Sequence, residues 1–535
     1  MPGYRGIGVH PVETFELVFA LLIAVLVLHW AATRVGLPPA VALLVGGGAL
    51  AFLPGLPAVA LDPELVLVLF LPPLLMDGAY FTEIASFRRH IGGIVSLAVG
   101  AVLFTTLTVG IVVHMLAPAL PWAACFALGA IVSPPDAVSA RAVLQRVTLP
   151  RRLITLLEGE SLLNDATGLV LFRFAVAAAL TGAFDAGQAS VSFVTLAIGG
   201  VVVGGAIGGA WVLLMRRLKD DMLVIISSMI VCWASYLAGE AVHASGVIAT
   251  VATGLVCGWY QHVVFSANAR MRGTAFWQVM VFLFEALVFI LIGFSLRGVL
   301  DRVGGVETVW ADMAVPVFGV VLAMTLARFV WVLGSDGVLA LLHRAGLVAK
   351  PPLGLRAATV MSWAGMRGVV TLAVALTLPE AMPGRDLMLV TAFAAILVTV
   401  LIQGTTLGLV IRAAGLRETA PPARLNLGAA EAAMAQAQLA LVERRAYGPD
   451  GSPLHPRLLE NYSLRAKQTA RYSENEAAFT ENIAKHFDLV IAAVAAGRIE
   501  LVRLHRAGDI DDKTLHNLEL DLDLEELAAV AAKNV

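Results

Sequence analysis

Charge is what this chain has least of: across 535 residues, Asp, Glu, Lys and Arg make up 14%, against 59% hydrophobic residues. A soluble protein carries about 25% charged residues. That class is excluded, and a mean hydropathy of +0.84 indicates a polytopic membrane protein. Cysteine is nearly absent. Cys125, Cys232 and Cys257 lie far apart in apolar runs, which argues against disulfides and leaves no metal-ligand spacing. The N-terminus lacks a basic region followed by a small-residue cleavage site, so the first apolar run reads as a retained span rather than a signal peptide. A net charge of −2 says nothing about partners, because the distribution of charge matters more than its sum. The expectation is a membrane protein with no cofactor, no enzymatic activity and no nucleic-acid partner.

What the chain does have is apolar runs long enough to cross about 30 Å of hydrocarbon. They fall at roughly 14–34, 38–56, 62–80, 91–117, 122–146, 153–182, 190–215, 221–239, 243–263, 275–297, 308–334, 355–379 and 386–413, thirteen in all. Alternate loops carry Arg34; Arg88 and Arg89; Arg146, Arg151 and Arg152; Arg216, Arg217 and Lys219; Arg270 and Arg272; Arg344, Lys350 and Arg356. The intervening loops hold only Arg297, Arg302 and Arg385, beside Asp301, Glu307 and Asp386. Basic loops stay in the cytoplasm. The predicted topology is therefore N-terminus outside and C-terminus cytoplasmic, in the plasma (inner) membrane.

Near Arg417 the composition turns polar. Residues 427–446 and 458–505 read as amphipathic helices separated by Gly448-Pro-Asp-Gly-Ser-Pro453, and a last segment runs from Leu515 to Ala532. The predicted domains are a transmembrane one at 12–415 and a cytoplasmic helical one at 416–535, the latter a dimer-stabilising or regulatory appendage.

The chemistry concentrates in Glu158-Gly-Glu-Ser-Leu-Leu-Asn-Asp165, inside the sixth apolar run. Carboxylates at membrane depth cost several kcal/mol each, and polar residues that merely glue helices together do not explain three of them in eight positions. On a helix Ser161 and Asp165 share one stripe, while Glu160 and Asn164 share a neighbouring one. Ser161 and Asp165 can thus present oxygens to one ion while Glu160 turns to another partner. Upstream, Ser133-Pro-Pro-Asp136 breaks the fifth run and bares carbonyls and amides at membrane depth. Discontinuous helices near the midplane are the usual ion-binding elements of secondary transporters, and Asp136 falls where the second half-helix begins.

A matching irregularity, Met361-Ser-Trp-Ala-Gly-Met-Arg-Gly368, interrupts the twelfth run. If runs one to six and eight to thirteen are inverted repeats, the two broken ones correspond. Arg367 is then the natural partner of Glu160, since neither stays charged alone in the interior. Asp77, after Pro72 and Pro73 in the third run, is either a third ligand or an interfacial carboxylate. Glu285, Arg328 and Arg173 are read as internal charge pairs, and His29 and His114 as packed neutral residues.

These residues resemble those of the sodium/proton exchangers of the first branch of the cation/proton antiporter superfamily, the NhaP and eukaryotic exchanger type, over roughly residues 12–415. The likeness rests on Gly159-Glu-Ser-Leu-Leu-Asn-Asp165, Ser-Pro-Pro-Asp136, the Leu71-Pro-Pro-Leu-Leu75 run and Gly365-Met-Arg-Gly368. It implies an all-α membrane fold of about 13 helices, with two six-helix inverted repeats and two crossing broken helices. By the resemblance, Asp165 is the ion- and proton-carrying carboxylate and Asn164 the neutral partner found in electroneutral members. Ser161 is implied as a side-chain ligand and Glu160–Arg367 as a structural ion pair. A homodimer with elevator-like motion of a core domain, serving pH and sodium homeostasis, is implied too.

Pro135 stands where the family usually has Thr, and Ala137 where a proline usually follows; the Pro135 carbonyl remains a possible ligand. Asp77 stands where Glu is common. The expected site is Na+ at Asp165, Ser161 and Asp77, with K+ or Li+ as alternatives. The rival readings are a cation channel, an intramembrane hydrolase using Asp136 and Asp165, and a transport-inactive sensor. The first lacks a visible filter segment; an intact Asn164-Asp165 argues against the last.

Overall fold

The computed structural model describes residues 11–53, 63–136, 149–183, 185–416, 427–447, 452–474 and 476–533. It separates into two compact units, Met1–Thr419 and Ala420–Val535. Among the described residues every element of both is a helix, apart from one isolated backbone bridge between Tyr447 and Pro453. In hydrocarbon, backbone N–H and C=O groups must pair within the segment, which leaves a chain this apolar few alternatives.

The first unit runs α1 (Pro11–Val35), α2 (Pro39–Ala51), α3 (Pro63–Tyr80), α4 (Ile84–Leu116), α5 (Trp122–Val132), α6 (Arg151–Thr181) and α7 (Ala186–Met215). It continues with α8 (Asp221–Ala241), α9 (Gly246–Val264), α10 (Ala267–Val303), α11 (Val306–Arg344), α12 (Leu355–Trp363), α13 (Val369–Leu376) and α14 (Arg385–Ala414). Among the described residues nine helices are long and apolar enough to cross a membrane. The shorter α2, α3 and α5 and the split pair α12–α13 account for the other apolar runs, so each of the thirteen expected runs contains helix. The part of the fifth run beyond Asp136, with Ala137 in it, lies outside the described residues.

Helix ends follow local chemistry. Asp185, Asp220, Ser245 and Ser266 cap α7 to α10 by accepting N–H groups of the first turn. Gly182, with φ of 71°, closes α6 in the left-handed conformation.

Phe19, Leu26 and Trp30 on α1, Ile198, Val201 and Val202 on α7, and Phe318, Leu322 and Leu326 on α11 face outward. This is the inverse of a soluble surface and suits acyl chains. Association between helices then relies on close packing of small residues. A Cβ on Gly47 would strike the Ile290 carbonyl and one on Gly293 the Leu44 carbonyl, so α2 and α10 touch backbone to backbone. One core cluster joins α3, α4, α6 and α12 through Leu75, Ile94, Leu157 and Met361. A second joins α5, α11, α13 and α14 through Leu128, Met324, Val374 and Met388. The broken elements lie in these two cores.

The second unit is described by itself. It contains α15 (Leu427–Arg445), α16 (Pro456–Glu474), α17 (Glu476–Ala507) and α18 (Asp512–Lys533). The 458–505 stretch is thus two helices, and the breaker between α15 and α16 lies mostly outside the described residues. Gly508, φ 78°, ends α17, and the Asp509 N–H returns to the Leu504 carbonyl at 3.0 Å. Asp511 then caps α18 through the Thr514 N–H at 2.8 Å. Hydrogen bonds from Thr514 hold its carboxyl below the usual carboxylate range. Arg498 meets Asp523 at 2.5 Å and Glu526 at 2.7 Å, and Lys533 meets Asp488 at 2.5 Å, lacing α17 to α18. Exposed pairs of this kind contribute little stability each.

Candidate functional site

The long helix α6 carries the acidic stretch, and its 3.6-residue repeat sorts it into two faces. Ile154, Leu157, Glu158, Ser161, Leu162 and Asp165 face a cavity of about 430 Å³. Glu160 and Asn164, 1% and 0% exposed, lie in the protein interior.

The cavity also takes Asp77 and Gly78 from α3, Asp136 from the end of α5, Thr274 and Gln278 from α10, and Thr371 from α13. It thereby brings together Asp77, Asp136, Ser161 and Asp165. Pro135 and Asn164 are not in its lining. They bond to each other behind it, the Asn164 side-chain amide donating to the Pro135 carbonyl at 2.5 Å. The Asn164 Oδ1 is buried without a hydrogen-bond partner. Four carboxylates line the cavity, Glu158 being the fourth, and none of the described lining residues is basic. Asp136 and Asp165 line the same cavity, where two charged carboxylates would repel one another. No group of three His, Cys, Asp or Glu among the described residues is arranged as a metal cage.

The two interrupted elements meet. The chain unwinds after Val132 and again between Trp363 and Val369, and the Asp136 N–H donates to the Met366 carbonyl at 2.7 Å. A Cβ on Gly368 would collide with the Asp136 carboxylate, which accounts for glycine at that point. Arg367 fastens the junction. Its Nε donates to the Val132 carbonyl at 2.7 Å, its terminal nitrogens donate to Ser133 at 3.4 Å and to Gly365, and its backbone N–H donates to Thr399 Oγ1 at 3.0 Å. The last carbonyls of a helix have no partner within it, and its C-terminal end carries partial negative charge. One guanidinium thus caps the end of α5 and holds the unwound backbone that follows α12.

This arrangement corrects the expected ion pair. Glu160 pairs with Arg328 of α11, not with Arg367. Arg328 donates to both Glu160 oxygens, at 2.6 and 2.9 Å, and also to the Met361 carbonyl at 3.2 Å. Both side chains are almost wholly buried, 4% exposed for Arg328 and 2% for Glu160. The reason is that the unwound backbone already occupies the donors of Arg367, and the parallel fork of Arg328 matches the carboxylate. The sequence signal for Arg328 was a lone arginine in an apolar helix, which marked it as paired but did not say with what. Thr274, Gln278 and Thr371 carried no signal beyond being polar in apolar helices.

Other expected pairs are looser. Arg173 meets Glu240 at 3.2 Å, half-exposed rather than buried. His114 donates from Nδ1 to the Leu120 carbonyl at 3.1 Å and lies against Trp122, and His29 packs edge-on against Phe282.

Arg367→Met is expected to leave the carbonyls of Val132, Ser133 and Gly365 without donors, at about 1–3 kcal/mol for each buried group. Thermal unfolding in detergent should show a large drop, partly restored by Arg367→Lys.

Comparison with known proteins follows the same lines. A family model described as the transmembrane sodium/hydrogen exchanger matches residues 18–413. The chain is 33% identical to an uncharacterised Na+/H+ exchanger of Mycobacterium tuberculosis, over 98% of either protein. It is 35% identical to a sodium, potassium, lithium and rubidium/H+ antiporter of Bacillus subtilis, over 65% of this chain and 54% of that one. Its fold is similar to that of the solved sodium/proton antiporter MjNhaP1 of Methanocaldococcus jannaschii. The TM-score is 0.58 at 19% identity, covering 75% of this chain and 99% of that one.

Proposed function

Because the chain belongs to the sodium/hydrogen exchanger family, we propose that it exchanges one monovalent cation for one proton, with Asp165 as the group that holds either. The observation that carries this reading is the cavity lined by Asp77, Asp136, Glu158 and Asp165 with no basic residue among its described lining. Such a field concentrates cations and excludes anions. Asp165 accepts a dehydrated cation with help from Ser161 and Asp77, or a proton, and the two compete. Taking a carboxylate out of water favours its neutral form, which lets protons displace the ion.

Asn164 contributes no titrating charge, so the exchange is electroneutral. Its bond to the Pro135 carbonyl ties α6 to the break after α5, and this supports a positioning role for both residues. Na+ is the cation expected first. The breadth of cations in the name of the Bacillus subtilis relative makes K+ and Li+ the alternatives.

The bonds among α5, α6 and the unwound segment between α12 and α13 support a block that shifts as one body past the rest, carrying the site between the two sides of the membrane. The working unit is a homodimer in the plasma membrane, with the N-terminus outside and the second unit in the cytoplasm. Its physiological role is pH and sodium homeostasis.

The test is flux in proteoliposomes containing the full chain. Each cation, added across a pH series, is expected to drive proton movement at a rate that clamping the membrane potential leaves unchanged. Cation current without proton movement would establish a channel instead, and no flux with any cation would leave only a sensor.

A further inference from the structure

At the end of the first unit that carries the basic loops, a second cavity of about 280 Å³ opens between α4, α6, α11 and the segment entering α12. His90, Arg152 and Lys350 line it, and Asp336 is the one acid among its described lining residues. Asp336 is already engaged: its two oxygens accept the Leu353 N–H at 2.5 Å and the Gly354 N–H at 2.9 Å. It offsets part of the positive charge, including that of Arg152.

Arg152 itself is under-used. One terminal nitrogen reaches the Pro352 carbonyl at 3.5 Å, while its Nε is buried with no hydrogen-bond partner. Buried N–H donors are rarely left in that state. Lys350 donates to the Arg89 carbonyl at 2.6 Å, which uses one of its three protons. Arg89, Arg152 and Lys350 all act electrostatically on His90, so the positive charge is concentrated here rather than spread along the loops.

We propose that this cavity binds a phosphate-bearing anion, held by the Arg152 guanidinium and by the Lys350 ammonium, both of which line it. A planar fork beside a point charge is the arrangement that suits phosphate oxygens. The volume falls just below the range usual for drug-sized ligands, about 300–1,000 Å³, and fits one phosphate group better than a nucleotide. The group comes either from a phospholipid headgroup or from free phosphate. The site is remote in character from the acid-lined cavity, which repels such an anion. Because Lys350 and Leu353 belong to the segment entering α12, a bound anion joins the start of that broken element to α4 and α6.

The experiment uses the full chain in phosphatidylcholine nanodiscs. One arm titrates inorganic phosphate, and the other incorporates a minor fraction of phosphatidic acid. The thermal midpoint is expected to rise in at least one arm, and the responding arm identifies the source. Arg152→Gln and Lys350→Gln should each weaken the effect by about tenfold or more, the range for a lost charge-assisted hydrogen bond. Arg344→Gln, an exposed site outside the cavity, should leave it unchanged. If Arg152→Gln does not fold, the exposed Lys350→Gln carries the test. The proposal is overturned by no shift in either arm, by a shift that persists in the Lys350 variant, or by an equal loss in Arg344→Gln.

Discussion

Asp165→Asn is expected to reduce cation-driven proton flux to the level of protein-free vesicles. The substitution keeps size and shape, so the variant should elute as the same oligomer and unfold at or slightly above the wild-type temperature. A charge that repels Asp136 disappears. The amide can neither take up a proton in the working range nor balance a bound cation, so both halves of the exchange fail together. Asp77→Asn is a milder change at a supporting oxygen. It should raise KM for the cation while leaving kcat nearly intact, the mark of lost binding that the transition state does not need. Surviving cation-dependent flux in Asp165→Asn would move the carrier role to Asp136 or Glu158, the other acids of the same cavity.

The second large effect is expected at Glu160. Removing one partner of a buried ion pair leaves an uncompensated charge and costs about 3–5 kcal/mol. Glu160→Ala should therefore destabilise strongly, with Arg328→Ala doing much the same. Replacing both with apolar residues of similar volume, Glu160→Leu with Arg328→Met, should recover most of the loss, because the pair as a whole is nearly balanced against its own desolvation. Double-mutant cycles read by thermal unfolding should show strong coupling between Glu160 and Arg328 and weaker coupling between Glu160 and Arg367. Some coupling to Arg367 remains, because Glu160 and Arg328 both act on it through their charges. A larger coupling with Arg367 than with Arg328 would contradict the bidentate geometry.

These two predictions differ in how far the chain alone leads to them. The face that Ser161 and Asp165 share is a matter of four-residue spacing on a helix, so it was legible before any coordinates. So were the interruptions, since Pro134 and Pro135 in one run and Gly365 and Gly368 in another weaken a helix, although Pro72 and Pro73 sit within α3 without breaking it. The partner of Glu160 was not legible. Arg328 and Arg367 are both arginines in apolar runs, more than 160 residues along the chain from Glu160, and nothing local ranks one over the other. The choice depends on the carbonyls of Val132, Ser133 and Gly365, which become available to Arg367 only once the two breaks lie against each other. Thr274 and Gln278 were missed for a similar reason: a polar residue on an apolar helix does not announce which neighbour it faces.

Hydropathy and residue spacing were therefore enough to establish a helical membrane chain, the number of its apolar runs, its two breaks and the acidic face of α6, because each depends on neighbours within a few turns. The pairing of charges, the withdrawal of Asn164 and Pro135 from the cavity wall and the gathering of four acids into one space came from packing. They depend on the relative tilt and depth of helices far apart in the chain, and in an interior with little water each buried charge goes to whichever partner that packing brings within reach.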